Sequence, residues 1–163
     1  MAKRINAEVY LEVYESEADL DESSKRLLQK ARTACDAAYA PYSGYHVGAA
    51  VLLGNGEIVS GNNQENAVYP AGLCAERVAM FAASSQFPQV AVLKIAISAR
   101  KAEGNTFLPV TPCGGCRQVL SEYERLYQQP LQVIMEGPAG KVYSAKSIAT
   151  LLPFSFSANN LQD

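Results

Sequence analysis

The amino-acid sequence predicts an α/β fold in which a central mixed β-sheet is flanked by helices. Stretches in which apolar residues recur with the period of a helix alternate along the chain with short apolar stretches typical of strands. One pair of the predicted strands is joined by a tight turn and must be antiparallel, whereas strands joined through helices can run parallel. A chain of 163 residues, 48% apolar and 18% charged, has the length and composition of one core. We therefore expect a single domain over residues 1–163.

The N-terminal third of the chain is expected to supply three strands and one helix. Apolar residues alternate with polar ones over residues 5–13, which predicts an extra N-terminal strand with one buried face. Over residues 23–38 the apolar positions fall three and four apart, which predicts a helix that Pro41 ends. Residues 47–53 and 57–60 flank an Asn-Gly step, which is a strong short-range signal for a β-hairpin.

The rest of the chain alternates between helical spacing and short apolar runs bounded by proline and glycine. Predicted helices span residues 74–85, 113–127 and 144–152, and predicted strands span residues 90–99, 131–135 and 141–143. This alternation completes the layered arrangement of helices around one sheet.

Charge and hydropathy argue against two classes of partner. Fourteen basic and sixteen acidic side chains give a formal net charge of -2, too little positive field to attract a long nucleic acid. No apolar run approaches the roughly 20 residues that span a bilayer, and the N-terminal segment turns acidic where a signal peptide turns apolar. We therefore expect no membrane partner and a cytoplasmic location.

Three of the four cysteines form a pattern typical of a metal site. Cys113 and Cys116 are spaced C-x-x-C, so both sulfurs face the same way on the first turn of a helix, and Cys74 offers a third thiolate. Structural zinc sites normally have four protein ligands, so three ligands predict an open position where water binds. Cys35 lies on the apolar face of the first predicted helix and is expected to be buried outside this site.

Glu76 follows Cys74 by two residues, as does the glutamate of zinc deaminases, which is the general acid and base and not a ligand. It would take a proton from a zinc-bound water, pass it to the ring nitrogen of the substrate and then protonate the departing amine. Three thiolates leave the zinc with a net charge of -1, which weakens it as a Lewis acid. Arg77 and Arg117 directly follow the two motifs, and we hypothesise that they donate hydrogen bonds to the sulfurs. The alternative is that both arginines are simply exposed on the surfaces of their helices.

These residues resemble the cytidine deaminase family, in its short-chain homotetrameric branch. The resemblance is carried by AYAPYSGYHVGAAVL at 38–52, GNNQENAVYPAGLCAERVA at 61–79, PCGGCRQVL at 112–120 and LLPFSF at 151–156. It implies hydrolytic deamination of cytidine and deoxycytidine to uridine and deoxyuridine, with release of ammonia, in pyrimidine salvage. It also implies one zinc ion per subunit and a homotetramer with sites near the subunit interfaces. Residues 1–22 form an N-terminal extension that the shorter family members lack.

The resemblance further implies roles for residues outside the metal motifs. The implied substrate-binding residues are Tyr45, Asn63, Glu65 and Ala75. Asn63 and Glu65 match the pair that holds a ribose hydroxyl, and Tyr45 stands where the family usually has a phenylalanine that packs on the base. Tyr69 and Phe156 match positions near a neighbouring subunit's pocket. Loop capping by Asn63 and Glu65, and plain core packing by Tyr69 and Phe156, are the alternatives.

Two other functions stay open at this point. A binding module with structural zinc requires a fourth protein ligand, and the sequence offers no convincing one. A deaminase of a nucleoside antibiotic such as blasticidin S shares the metal motifs but lacks the N-x-E-N segment found here at 63–66. The first comparison favours an enzyme over a binding module, and the second favours cytidine as the substrate.

Overall fold

The computed structural model describes residues 2–161. The strands of this part of the chain are β1 (Glu12–Tyr14), β2 (Tyr45–Leu53), β3 (Ile58–Asn62), β4 (Val92–Lys101), β5 (Gln132–Glu136) and β6 (Val142–Ala145). The α-helices are α1 (Glu22–Ala34), α2 (Ala75–Gln86) and α3 (Gly114–Tyr127). The strands form one sheet in the order β1-β6-β5-β4-β2-β3. Strands β4 and β5 are parallel, and the other neighbours are antiparallel, which confirms the predicted mixed sheet.

The sheet is covered on both faces because its central strands are apolar on both sides. Leu27 and Leu28 of α1 are fully buried in one cluster with Ala96 of β4. The neighbouring residues Ile95 and Ile97 point to the opposite face, where they belong to the larger core beneath α2 and α3. Near-continuous apolar runs are expected for strands buried on both faces. The result is a three-layer arrangement in which α2 and α3 lie side by side.

Two glycines allow helices to rest directly on the backbone of the sheet. A Cβ atom on Gly48 of β2 would lie 2.0 Å from the carbonyl oxygen of Ala31 in α1. A Cβ atom on Gly61 of β3 would lie 2.4 Å from the backbone nitrogen of Ala79 in α2. Side chains of any size would push these helices outward. Gly61 therefore sets how closely α2, with the site at its N-terminal end, approaches the sheet.

The predicted N-terminal strand is present, but its predicted bounds are wrong. Strand β1 contains only Glu12–Tyr14 and pairs at the sheet edge with β6. Val13 is 52% exposed and Val9 is 65% exposed, so the apolar residues of the alternating pattern do not face the core. Tyr14 packs on the core in their place. The reason is that β6 is only four residues long and ends at Ala145, so it offers no partner to the residues before 11.

The predicted helix over residues 144–152 is also wrong. Strand β6 extends to Ala145, and only a 3₁₀ turn follows, at Ile148–Thr150. Glu124 of α3 explains the difference, because its carboxylate accepts hydrogen bonds from the Ser147 hydroxyl at 2.8 Å and from the Ile148 backbone nitrogen at 3.0 Å. These contacts fix the start of the turn.

Within residues 2–161, no helix combines the length and the apolar character needed to cross a membrane.

Candidate active site

The site is built on the N-terminal ends of two neighbouring helices. Cys74 is the N-cap residue of α2, and Cys113 is the N-cap residue of α3. Both have extended backbone dihedrals, and neither helix start has a side-chain cap. The free N–H groups and the helix dipoles therefore favour negative charge at both positions. Cys116 lies in the first turn of α3 and is buried.

The three sulfur atoms lie close enough to share one metal ion. The ligand atoms of Cys74, Cys113 and Cys116 are all within 4.8 Å of one another, and the Cys74 and Cys113 sulfurs are 4.0 Å apart. Tetrahedral zinc with bonds of about 2.3 Å to sulfur requires sulfurs about 3.8 Å apart. Within residues 2–161, these three cysteines are the one group of cysteine, histidine or acidic residues whose ligand atoms lie close enough together to hold a metal ion. The donor set of three thiolates suits zinc.

The electrostatics of the cluster also call for a cation. The neighbouring thiol of Cys116 lowers the pKa of Cys74 to about 5, against the effect of burial and with help from Arg77. The same contact, together with burial, raises the pKa of Cys116 above its usual range. Without a cation the sulfurs therefore share protons, whereas a divalent ion allows all three to be thiolates.

The two arginines next to the motifs have different partners. Arg77 donates from Nη2 to the carbonyl oxygen of Gly72 at 3.3 Å and approaches the Cys74 sulfur at 3.9 Å. Arg117 donates from Nε to the carbonyl oxygen of Pro112 at 2.8 Å and from Nη1 to that of Leu151 at 3.0 Å. The structure thus contradicts the hypothesis that Arg117 donates to the sulfurs. Its guanidinium instead joins the backbone just before α3 to the end of the 3₁₀ turn that follows β6.

Glu76 lies in the first turn of α2 and is only 5% exposed. Burial raises the pKa of its carboxyl above the usual range, and the charge on Cys74 raises it further. A carboxylate with a raised pKa is a better proton acceptor at neutral pH and can also return the proton. Glu76 and two of the cysteines, Cys74 and Cys113, line the same cleft.

The cleft beside the sulfurs has a volume of about 580 Å³, in the range of small-molecule sites. Its lining includes the predicted site residues Tyr45, Asn63, Glu65, Tyr69, Ala75 and Arg77. Asn63 is buried, and its amide accepts from the Val47 nitrogen at 2.8 Å and donates to the Tyr45 carbonyl oxygen at 2.9 Å. An amide has two N–H groups and two acceptor lone pairs, so one of each stays free. Asn63 thus joins β3 to β2 and retains hydrogen-bonding capacity.

Glu65 lies at the rim of the cleft and is held by the loop that precedes β2. A hydrogen bond from the Ser43 hydroxyl, with others from the Tyr42 and Ser43 nitrogens, lowers the pKa of Glu65 below its usual range. The carboxylate is therefore ionised and fixed in position, which suits an acceptor for hydroxyl groups. Sequence reasoning missed Tyr42 and Ser43, since their contacts to Glu65 span more than 20 residues.

The remaining candidates lie outside the centre of the cleft. Tyr69 is 76% exposed at the rim, where its ring makes an edge contact with Tyr42 at 5.9 Å between centroids. Phe156 is exposed and is not among the lining residues, and its carbonyl oxygen accepts from the Gln118 side chain at 2.9 Å. Cys35 is buried near β4, where its thiol lies 3.3 Å from the Ser98 carbonyl oxygen, and burial raises its pKa to about 11. The prediction that Cys35 lies outside the site is consistent with this position.

The site thus has three cysteine sulfurs at the starts of two helices, with a buried glutamate beside them in a cleft. This arrangement is that of the zinc-dependent hydrolytic deaminases. The family model for the cytidine and deoxycytidylate deaminase zinc-binding region matches residues 21–128. The chain belongs to this family.

Individual relatives agree with the family match. The chain is 38% identical over 137 residues to a cytidine deaminase of Halalkalibacterium halodurans, in a match that covers 84% of this chain and 96% of that protein. Among solved structures, the cytidine deaminase from Burkholderia pseudomallei matches with a TM-score of 0.68 and 36% identity, over 80% of this chain and 97% of that one. The cytidine deaminase from Mycobacterium tuberculosis matches with a TM-score of 0.63 and 34% identity, over 84% and 99%.

Proposed function

We propose that the chain catalyses the hydrolytic deamination of cytidine and deoxycytidine to uridine and deoxyuridine, with release of ammonia. The observation that carries this proposal is the placement of Glu76 beside the sulfurs of Cys74 and Cys113 in one cleft. The cleft also contains a fixed carboxylate, Glu65, and a partly free amide, Asn63. The relatives named above, all cytidine deaminases, support the same substrate class.

Cys74, Cys113 and Cys116 would hold the zinc ion, which when bound lowers the pKa of a water ligand and so supplies a nucleophile near neutral pH. Glu76 takes a proton from the attacking water and passes it to the ring nitrogen next to the amine-bearing carbon. Once the water oxygen is bonded to that carbon, Glu76 takes the remaining proton from the new hydroxyl group and passes it to the amine, which leaves as ammonia while the carbonyl forms. One carboxylate thus serves both proton transfers. Burial of Glu76 keeps it shielded from bulk water during these steps.

The other lining residues orient the nucleoside. Glu65 and the free N–H of Asn63 hold a ribose hydroxyl, because together they offer one strong acceptor and one donor. The ring of Tyr45 packs on the base, and Ala75 closes the cleft where α2 begins. Arg77 withdraws charge from the metal through its approach to the Cys74 sulfur.

We also propose that the protein is a homotetramer that works in the cytoplasm in pyrimidine salvage. Tyr69 at the rim of the cleft and Phe156 outside it both expose large apolar rings, which supports burial of both rings by neighbouring subunits. A reducing compartment keeps the three thiols available to the metal. Mass measurement of the native assembly tests the subunit number.

The proposed reaction is tested by incubating the zinc-loaded protein with cytidine, deoxycytidine, cytosine and blasticidin S and following the ultraviolet change as the amine is lost. We expect turnover of the first two compounds. Glu76→Gln should keep the fold and the zinc while turnover falls by roughly 100-fold to 10,000-fold. Glu122→Gln, an exposed change on α3, is the matched control and should leave turnover unchanged. Equal rates for Glu76→Gln and the unaltered protein would remove Glu76 from the mechanism, and turnover of blasticidin S alone would overturn the substrate.

A further inference from the structure

A nearly buried ion pair lies outside the cleft, where α1 meets the end of β5. Arg32 donates from Nε to Oε1 of Glu136 at 2.7 Å and from Nη2 to Oε2 at 3.2 Å, which is a bidentate arrangement. The two side chains are 18% and 5% exposed. The Nη1 group of Arg32 donates to Glu17, which precedes α1. The guanidinium therefore joins three segments of the chain that are far apart in sequence.

The same pair is connected to the loop that leads into α3. Glu136 also accepts a hydrogen bond from the Ser98 hydroxyl at 2.8 Å, and its backbone carbonyl oxygen accepts from the Val110 nitrogen at 3.1 Å. The ring of Phe107 stacks on the guanidinium, with Cζ of Arg32 5.1 Å from the ring centroid. Arg32 thus holds this loop twice, directly through Phe107 and indirectly through Glu136.

The loop held in this way carries part of the active site. Val110, Thr111 and Cys113 all line the cleft, and Pro112 restricts the backbone between them. Cys113 lies three positions after Val110, a distance of at most about 11 Å along the chain. A displacement of Val110 is therefore passed on to the sulfur of Cys113.

The N-terminal extension takes part in the same arrangement. Glu17 lies before residue 21, where the family match begins. It belongs to a short 3₁₀ turn whose start is fixed by a reciprocal pair of hydrogen bonds between Ser16 and Asp19. This turn is thus firmly placed, and the Glu17 carboxylate contacts the guanidinium that supports the loop.

We propose that Arg32 is a positioning residue for the active site. Its ion pairs with Glu17 and Glu136 and its stacking on Phe107 fix the loop that places Cys113, so that the N-terminal extension contributes to catalysis. This inference rests on the proposed function only for the measurement of activity. Amide exchange and the cobalt spectrum test it independently of the reaction.

The test compares the double variant Arg32→Met/Glu136→Gln with the unaltered protein. The double change removes both charges, keeps similar side-chain volumes and leaves no unpaired buried charge. We expect amide exchange in a peptide covering residues 105–112 to become at least about tenfold faster, because the double change removes the guanidinium that stacks on Phe107 and the ion pair that holds Glu136 beside Val110. With zinc replaced by cobalt, the absorption band of the thiolate ligands should shift. The kcat for cytidine should fall roughly tenfold while KM changes less than about twofold, since Asn63 and Glu65 are untouched.

The matched control is Lys146→Met/Glu12→Gln, which removes an ion pair of 2.9 Å between β1 and the end of β6, away from the loop. It should leave exchange, cobalt spectrum and kcat unchanged. Glu17→Gln and Phe107→Leu should each reproduce part of the effect, and they carry the test if the double variant does not fold. Unchanged exchange and an unchanged cobalt spectrum in these folded variants would overturn the proposal. A lack of cytidine turnover by the unaltered protein would refute the proposed function, while exchange and spectrum still decide the role of Arg32.

Discussion

Replacing Gly61 with alanine should displace the helix that carries Cys74 and Glu76. The added Cβ atom would lie 2.4 Å from the Ala79 nitrogen and 2.9 Å from its Cα atom, and these are backbone atoms that no rotamer change can move aside. Ordinary contact begins at 3.4 Å, so α2 must retreat by about 3.4 − 2.4 = 1.0 Å. Overpacking of this kind costs typically 1–3 kcal/mol of stability. A misplacement of about 1 Å in a catalytic constellation can cost roughly 100-fold in rate.

The assay for Gly61→Ala is steady-state deamination of cytidine together with thermal unfolding and zinc content. We expect a lower melting temperature and a fall in kcat of roughly ten- to 100-fold in the fraction that retains zinc. Gly54→Ala is the matched control, because the nearest atom to its added Cβ is the Ala91 carbonyl oxygen at an ordinary 3.6 Å. Activity and stability of Gly61→Ala equal to those of Gly54→Ala would show that α2 does not rest on β3 as described.

Three further changes test other parts of the structure. Cys113→Ala should lose zinc, measured by metal analysis, whereas Cys35→Ala should lose stability but keep zinc; full zinc content in Cys113→Ala would refute the ligand assignment. Burial opposes ionisation of Asp21, but hydrogen bonds from Ser23, Ser24 and Lys94 outweigh it and hold its pKa well below the ordinary 3.8. Ionised Asp21 therefore stabilises the fold above about pH 4, and this contribution, about 1 kcal/mol or less for so exposed a group, is lost as the pH falls further. The free energy of unfolding in urea should be lower for Asp21→Asn than for the unaltered protein at pH 7, and this difference should shrink toward pH 3. A difference that stays the same at both pH values would contradict this reasoning. Phe154 has a φ of 61° and is 76% exposed, so Phe154→Gly should relieve roughly 1–2 kcal/mol of strain against a glycine cost of about 0.5–1 kcal/mol and raise the melting temperature slightly. A lower melting temperature would show that the ring stabilises the fold.

Local patterns in the sequence predicted most of the fold and the centre of the site. The Asn-Gly turn, the helical spacing and the cysteine motifs each depend on residues near one another in the chain, and the structure has the predicted hairpin and a sulfur cluster. The bounds of the N-terminal strand and the helix over residues 144–152 were wrong because neighbours distant in sequence decide both segments. Strand β6 is too short to pair with residues before 11, and Glu124 fixes the turn at Ser147.

Contacts between distant residues also account for what was missed in the site and in the structure that supports it. Arg32 and Glu136 are 104 residues apart, and Glu65 is 22 residues from Ser43. No periodicity or motif signals such pairs. The Arg117 hypothesis failed for a related reason, since adjacency to Cys116 in sequence does not decide which acceptors surround a guanidinium.

Cys74 and Cys113 are 39 residues apart in the sequence, so a metal ion shared by them affects how much folded protein a cell keeps. A metal ion that binds both sulfurs closes a long loop between two helix starts, as a cross-link would, and holds them together against opening. A shortage of zinc would therefore reduce the amount of this protein as well as its turnover, because newly made chains that stay empty are easier to unfold and degrade.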